Sequence, residues 1–164
     1  MRNDTYSAVW MQTPHGGAFV QQGVIILDLD HFGEITKKAG WPKYKPNVVT
    51  GLLTELVTKI LSKHHGTHLR GINYQRGTEE AVLFFSAPDP QKLLEDLETL
   101  RKKLYLLGGE LGLPVTISIG VAFGPSFHMR ISETSDLTQI PLFKSAKKAL
   151  RKAKKQGGNR IIVF

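Results

Sequence analysis

The apolar run GVIILDLD, at residues 23–30, constrains the fold more than any other segment of the 164-residue chain. Five of its last seven residues are apolar, which is too continuous for a strand with one exposed face. The run therefore predicts a buried central strand. It ends in Asp28 and Asp30, and side-chain alternation along a strand places both carboxylates on the same face.

Helical and extended patterns alternate along the rest of the chain. Apolar residues at helical spacing predict an amphipathic helix over residues 47–64. The other predicted elements are strands at 67–75, 80–86, 114–123 and 160–164 and helices at 90–107 and 141–156. Predicted loops cover residues 37–46 and 124–140, and residues 1–22 form an N-terminal arm or extra strand before one domain at 23–164.

Two glycine-containing pairs are predicted to end these elements. Gly77 and Thr78 suit the two central residues of a type II′ hairpin turn, which needs glycine first and accepts threonine second. Gly108 and Gly109 are predicted to end the helix that begins at residue 90, because glycine is common just past a helix end.

The element order gives a topology. The order strand, helix, strand, strand, helix, strand is the ferredoxin-like split βαβ pattern, so the predicted class is an α+β palm fold with a C-terminal helix and strand added. Right-handed crossovers make the first two core strands parallel, with the third between them. The end of the first strand then lies beside the hairpin turn, so Asp28 and Asp30 approach Glu79 and Glu80.

Carboxylates that converge at one end of a sheet repel one another unless a cation joins them. Magnesium binds oxygen ligands and uses one or two carboxylates, which leaves room for substrate phosphates. Asp28 and Glu79 are the first candidate ligands, followed by Glu80 and Asp30. Such an ion lowers the charge on a triphosphate and activates a ribose 3′-hydroxyl for in-line attack. In the alternative interpretation, each acidic pair is ordinary solvated charge.

Composition narrows the class of partner. The formal net charge is +8 and the isoelectric point is about 9.8, which favours nucleotides or nucleic acid; surface lysines without such a role give the same charge. The absence of cysteine excludes disulfides and thiolate metal sites. The sequence contains neither a long apolar span nor a signal-peptide pattern, so we expect a cytoplasmic protein with no membrane partner.

Four segments carry a family pattern. DLDHF at residues 28–32 is similar to a DxDxF segment, and RGTEEAVLFF at 76–85 stands in the place of RxGGDEF and an apolar strand. VTISIGVAFG at 115–124 is similar to VTxSIGVA, and LFKSAKKALRKAKKQGGNRIIVF at 142–164 to LxxADxALYxAKxxGRNRV. In order and spacing, residues 23–164 resemble the GGDEF family, the palm-type nucleotidyl cyclases that join nucleoside triphosphates into cyclic dinucleotides.

The resemblance implies roles for particular residues. Asp28 and Glu79 match the carboxylates that bind Mg²⁺ or Mn²⁺, with the backbone carbonyl of Leu29 as a further ligand. Glu80 matches the motif glutamate near the metals and the attacking hydroxyl. Lys154 matches the lysine that grips the terminal phosphates, although it also lies on a basic helix face where lysines are usually solvated. The other matched nucleotide positions are Phe32, Thr36, Gly77 and Thr78.

Several positions depart from the family pattern. Thr78 replaces the second motif glycine, and its side chain is expected to intrude where the nucleotide lies. Thr36 and Lys45 stand at the guanine-reading positions, and a pocket without those groups loses most of its discrimination. Gly158 replaces an arginine that joins the phosphate lysine, and Ala81 replaces the motif phenylalanine. The inhibitory RxxD pattern is absent; HLRG stands there.

Three hypotheses follow. The first is an active cyclase with an altered base preference or a weak guanine preference, taking GTP or ATP. The second is a non-catalytic GGDEF-like module that binds a nucleotide or a partner protein. The third is a nucleic-acid-associated palm domain, for which the basic charge is the one supporting feature. A cyclase of this family needs two domains face to face, so an active form is expected to self-associate as a homodimer or to be dimerised by a partner.

Overall fold

A computed structural model describes residues 21–125 and 136–164, which form a five-stranded sheet covered by α-helices. The strands are β1 (Gln21–Leu29), β2 (Thr67–Arg70), β3 (Glu80–Phe85), β4 (Ile117–Pro125) and β5 (Arg160–Val163). The helices are α1 (Phe32–Ala39), α2 (Val48–Lys63), α3 (Pro90–Leu111) and α4 (Pro141–Lys155), with a short 3-10 helix at Leu137–Gln139. Within these residues, every helix is too short or too polar to cross a bilayer.

The strands lie in the order β2-β3-β1-β4-β5. Strand β3 pairs antiparallel with both β1 and β2, so β1 and β2 run parallel with β3 between them. Strand β4 pairs antiparallel with β1, and β5 pairs parallel with β4. This arrangement is the predicted α+β palm, in which the last helix and strand extend the ferredoxin-like core at one edge.

Strand β1 is the buried central strand that its apolar run predicts. Ile25 and Leu27 face α2 and α3 in one half of the core, and Val24 and Ile26 face α4 in the other half. Each of the four side chains is at most 7% exposed. Because both faces of β1 are covered along its length, a solvent-accessible site has room only at its end.

Helix α2 begins close to its predicted start and is fixed there by a reciprocal cap. Asn47 Oδ1 accepts hydrogen bonds from the backbone N–H groups of Val49 and Thr50, each at 3.0 Å. In return, Thr50 Oγ1 accepts from the Asn47 N–H at 3.1 Å. This capping box satisfies backbone donors that the first turn of a helix leaves unpaired, and it fixes the position of the first turn of α2.

The predicted loop over residues 37–46 is partly wrong, because residues 37–39 belong to α1. The helix buries Phe32 and Ile35 on its inner face, a spacing of three that matches one helical face. Gly40, with a φ of 71°, ends it. The pattern escapes prediction because eight residues are fewer than the window over which helical periodicity is read.

The predicted two-residue hairpin turn at Gly77 and Thr78 is also wrong. Strand β2 stops at Arg70, and residues 71–79 form a longer connection to β3. The backbone N–H of Thr78 donates to Thr54 Oγ1 of α2 at 3.1 Å instead of to the neighbouring strand. Contacts with α2 therefore override the local turn preference of this sequence.

Gly108 and Gly109 do not end α3 as predicted. The helix continues to Leu111, and Gly112 in the left-handed conformation caps it at a φ of 68°. At Gly108, a Cβ would lie only 2.6 Å from the Leu113 carbonyl oxygen. This glycine therefore permits close packing of the chain that follows α3 and does not mark the end of the helix.

The start of β1 and the end of β4, at Gln21 and Pro125, each lie two residues beyond the predicted positions. Gln21 and Gln22, assigned to an N-terminal arm, pair with the end of β4 and belong to the sheet. The rest of that arm and most of the predicted loop at 124–140, namely residues 1–20 and 126–135, lie outside the described residues.

Helix α4 crosses β4 at Gly120, where a Cβ would overlap the Ala146 carbonyl oxygen and the Leu150 nitrogen. We expect Gly120→Ala to lower the free energy of unfolding by about 2–3 kcal/mol, because α4 must move away from the sheet. Gly109→Ala is the matched control: nothing lies within 4 Å of its Cβ position, and alanine in a helix is favoured by about 0.5–1 kcal/mol. Urea denaturation followed by circular dichroism measures the free energy of unfolding of both variants. A Gly120→Ala variant as stable as the unsubstituted protein would contradict the close crossing.

Candidate functional site

Two acidic segments meet at the end of β1. Asp28 lies opposite Glu80 in the pairing of β1 with β3, and the backbone N–H of Leu29 donates to the Glu79 carbonyl oxygen at 3.0 Å. Directly opposed residues project to the same face of a sheet, so the carboxylates of Asp28 and Glu80 lie on one face. The predicted approach of the two segments is confirmed, with Glu80 in the position opposite Asp28.

We call the end of β1, with Asp28, Asp30 and Glu80, the rim. Lys154 of α4 supplies positive charge there. Its Nζ lies 2.8 Å from Asp30 Oδ1 and 3.5 Å from Asp28 Oδ2, and it donates to the Asp28 backbone carbonyl oxygen at 3.4 Å. Glu80 adds a third carboxylate close enough to act on Asp28. The Lys154 ammonium thus contacts two of the three carboxylates at the end of β1, those of Asp28 and Asp30.

Asp30 is buried and fully hydrogen-bonded. Its carboxylate accepts from Lys154, from Ser118 Oγ at 2.7 Å, from Thr116 Oγ1 at 2.8 Å and from the Asn159 N–H at 2.9 Å. Burial acts to raise the pKa of this carboxyl, but these hydrogen bonds outweigh burial and hold the pKa below its ordinary value. The predicted ligand role of Asp30 does not fit, because protein donors already occupy both oxygens.

Asp28 has the opposite character. Its side chain is 36% exposed, and partial burial raises the pKa of its carboxyl. Lys154 acts to lower that pKa, whereas the negative charges of Glu80 and Asp30 raise it further, so the net pKa lies above the ordinary value. An additional cation at this position would relieve the repulsion.

The carboxylate oxygens at the rim fit a Mg²⁺ or Mn²⁺ ion whose other ligands include phosphate oxygens. Within residues 21–125 and 136–164, no group of three or more Asp, Glu, His or Cys side chains is placed to hold an ion by itself. Magnesium, however, takes only one or two protein carboxylates and completes its shell with water and phosphate oxygens. Asp28 and Glu80 provide that number.

The motif loop closes against α2. Gly77 has a φ of 82°, and a Cβ there would overlap the Thr50 side chain. Thr78 is fully buried, and its hydroxyl lies 2.8 Å from the Thr54 hydroxyl. The expected intrusion of Thr78 into the nucleotide space is therefore wrong, because its side chain fills the interface with α2.

The positions expected to read a base offer it few polar groups. Thr36 is buried, and its hydroxyl donates to the Gly33 carbonyl oxygen at 2.8 Å. Lys45 is exposed in the α1–α2 connection and offers only donors. Phe32 packs in the core. None of the three presents an acceptor to the edge of a guanine.

Gly158 lies against the buried carboxylate. It has a φ of 72°, and a Cβ there would be only 2.7 Å from Asp30 Oδ2. The space that a larger side chain would need is therefore taken by Asp30. At this part of the rim, Lys154 is the basic side chain that contacts the carboxylates.

A cavity of about 320 Å³ opens beside the rim. Asp28 and Glu80 line it together with two cations that the sequence analysis did not single out, Arg70 and Lys147. Arg70 ends a four-residue strand and Lys147 is one of many basic residues of α4, so neither has a distinctive sequence signal. The order of the strands, together with the packing of α4 on the sheet, brings these four charges to one cavity.

Solved structures with a similar fold are nucleotidyl cyclase domains. The GGEEF domain of a diguanylate cyclase from Vibrio cholerae is similar with a TM-score of 0.63 and 21% identity, over 88% of this chain and 83% of that one. The GGDEF domain of DgcB from Caulobacter crescentus is similar with a TM-score of 0.60 and 19% identity, over 87% of this chain and 77% of that one. A bacterial light-regulated adenylyl cyclase is similar with a TM-score of 0.59 and 15% identity, over 85% of this chain and 73% of that one.

No protein-family model and no curated protein sequence matches the chain. The structural similarity nevertheless shows that the chain has a GGDEF-like fold, the palm of nucleotidyl cyclase domains.

The hydrogen bonds of Asp30 predict a pH-dependent contribution to stability. We expect Asp30→Asn to lower the free energy of unfolding at neutral pH by about 2–4 kcal/mol, because its donors lose a charged acceptor. Since the pKa is lower in the folded state, this stabilisation is present above the unfolded pKa of about 4 and is lost as pH falls through the folded value. Urea denaturation between neutral pH and about pH 2 should show the gap to the unsubstituted protein closing.

Asp89→Asn is the control for that series, because Asp89 is an exposed helix cap and asparagine caps equally well. A gap for Asp30→Asn that stays constant down to the lowest pH would contradict the ionised state of Asp30.

Asp28→Asn should change stability in the opposite direction. A carboxyl whose pKa is raised in the folded state destabilises the fold while it is charged, and stability increases as pH falls through the folded pKa. We therefore expect the urea midpoint of Asp28→Asn at neutral pH to equal or exceed that of the unsubstituted protein. A loss as large as that of Asp30→Asn would show that Asp28 is a structural charge.

Proposed function

We propose that this chain is a nucleotidyl cyclase of the GGDEF type, which binds ATP or GTP with Mg²⁺ or Mn²⁺ and forms 3′–5′ phosphodiester bonds that lead to a cyclic dinucleotide. The observation that carries the proposal is the pairing of Asp28 with Glu80 at the end of β1, beside Lys154. The palm fold supports it, since the similar Vibrio cholerae domain is described as active.

Each residue at the rim has a role in this reaction. Asp28 and Glu80 hold the cation, with Glu79 and the Leu29 carbonyl as the further ligands that the family resemblance implies. A cation held there would supply positive charge that offsets the charge of the triphosphate and of the attacking oxygen. When the triphosphate binds, Lys154 gives up its contact with one carboxylate and donates to the terminal phosphate oxygens instead. Glu80 accepts the proton of the ribose 3′-hydroxyl as that oxygen bonds to the α-phosphorus, and pyrophosphate leaves.

A second copy of the chain completes the proposed site. Closing a cyclic dinucleotide takes two nucleotides, each attacking the α-phosphorus of the other, so two rims must face each other. We therefore propose a homodimer that forms at least during turnover. Its formation makes the specific activity rise with protein concentration until the dimer is saturated.

A non-catalytic nucleotide-binding module is the second candidate. Three observations favour it: Asp30 occupies the space beside Gly158, the Thr36 hydroxyl is bonded to Gly33, and Lys154 already contacts two carboxylates. Such a module keeps the Asp28 and Glu80 rim for a cation and a triphosphate. It does not align a 3′-hydroxyl for attack.

Incubation of the purified protein with each of the four ribonucleoside triphosphates and Mn²⁺ or Mg²⁺ tests the proposal. We expect release of pyrophosphate and a cyclic dinucleotide detected by mass spectrometry, with either ATP or GTP as substrate. Asp28→Asn and Glu80→Gln should reduce the rate by at least about 100-fold, because each removes a carboxylate that acts on the cation or proton. Lys154→Ala should weaken triphosphate binding, whereas Lys148→Ala, on the exposed face of α4, should not.

Thermal unfolding with each nucleotide separates the two candidates. Stabilisation by a metal-bound triphosphate without pyrophosphate release supports the non-catalytic module. Turnover that persists undiminished in Asp28→Asn would exclude the rim as the site of catalysis.

A further inference from the structure

An exposed aromatic ring and a guanidinium meet on two loops near the rim. Tyr44 lies in the connection between α1 and α2 and is 77% exposed. The guanidinium carbon of Arg76, in the connection between β2 and β3, lies 5.9 Å from the centroid of the Tyr44 ring. Arg76 opens the RGTEEAVLFF segment, whereas Tyr44 belongs to none of the motifs of the sequence analysis, and their contact joins two loops that are distant in sequence.

Backbone contacts connect this pair to the end of β1 that carries Asp28 and Asp30. Gly77, which follows Arg76, packs on Thr50 in the first turn of α2, and the α1–α2 connection that carries Tyr44 leads into that same turn. Three residues after Arg76, the Glu79 carbonyl oxygen accepts from the N–H of Leu29 at 3.0 Å. A short stretch of chain therefore separates the pair from the carboxylates.

The local backbone presents both side chains to solvent. Tyr44 has a φ of 60°, a conformation that is unfavourable for a residue with a side chain and is concentrated at functional positions. Asn73 Oδ1 accepts from the N–H groups of Gln75 at 2.9 Å and Arg76 at 2.8 Å, which fixes the turn that carries the guanidinium. The pair is thus held in place while most of the Tyr44 ring remains accessible.

The chemistry of Thr36 and Lys45, the two positions that the family resemblance matches to base reading, favours recognition of a base by its face. The Thr36 hydroxyl is bonded to Gly33, and Lys45 supplies no acceptor, so hydrogen bonding to a base edge has little support here. Tyrosine rings and arginine planes both stack on nucleobases, and such stacking tolerates any base because every base has a π-face.

We propose that Tyr44 and Arg76 form the stacking site for the nucleobase of the triphosphate. This inference rests on the proposed function and names the substrate class of the same site: purine nucleoside triphosphates, held through the larger face of the purine and read without discrimination between adenine and guanine. The triphosphate then extends from the stacked base to the rim at Asp28 and Lys154.

Isothermal titration with unreactive ligands tests the inference. The ligands are the Mg²⁺ complexes of the α,β-methylene analogues of ATP, GTP and UTP, and of inorganic tripolyphosphate. We expect the ATP and GTP analogues to bind with similar Kd values and more tightly than the UTP analogue. Tyr44→Ala and Arg76→Ala should each weaken purine binding by about 5- to 150-fold, the contribution of base stacking, and leave tripolyphosphate binding unchanged.

Two further variants serve as controls. Tyr44→Phe keeps the ring and should retain purine binding, and Tyr105→Ala, which removes a 56% exposed tyrosine on α3, should have no effect.

The outcomes separate the two proposals. Equal affinity of the unsubstituted protein for tripolyphosphate and for the purine analogues, or unchanged purine binding in Tyr44→Ala, would overturn the stacking site while leaving the phosphate site of the proposed function intact. A strong preference for one purine would also overturn it. If neither tripolyphosphate nor any analogue binds, the proposed function fails together with the inference.

Discussion

The ion pair between Asp30 and Lys154 joins the parts of the chain that build the rim. Through Asp30, the end of β1 is connected to Ser118 of β4, to helix α4 and to the Asn159 N–H before β5. The carboxylate is 4% exposed, and a buried charge is stable only when it is paired and hydrogen-bonded. The network therefore determines where Lys154 lies and leaves its ammonium within reach of Asp28.

Asp28, two residues before Asp30, has a different environment. Asp30 is satisfied by protein donors, and its pKa is lowered; Asp28 shares a single cation with it, faces Glu80, and has a raised pKa. One carboxylate stabilises the fold, and the other retains binding capacity for an added cation. Identical side chains thus take different roles because of the number of donors that their neighbours supply.

The sequence predicts those features that depend on long patterns or on chain topology. The central strand follows from an apolar run, and the meeting of Asp28 with the glutamates follows from the handedness of the crossovers. Features decided by a single tertiary contact were wrong: Thr78 turns towards Thr54 of α2, and Gly108 permits close packing instead of ending a helix. The roles of the rim residues in binding and catalysis stay predictions, because no ligand contact follows from the sequence or from the fold.

Three of the departures from the family pattern, at residues 158, 78 and 36, are each accommodated by a neighbouring residue. Asp30 lies where a side chain on residue 158 would project, Thr54 bonds the threonine that replaces a motif glycine, and the Thr36 hydroxyl is bonded within α1. These contacts preserve the fold and remove polar groups from the base end of the site, while the charged end remains. In the function that we propose, affinity for a nucleotide then comes from phosphate charge and from stacking on a base face. Both interactions tolerate a change of base, so selectivity for guanine is the property that the proposed site loses first.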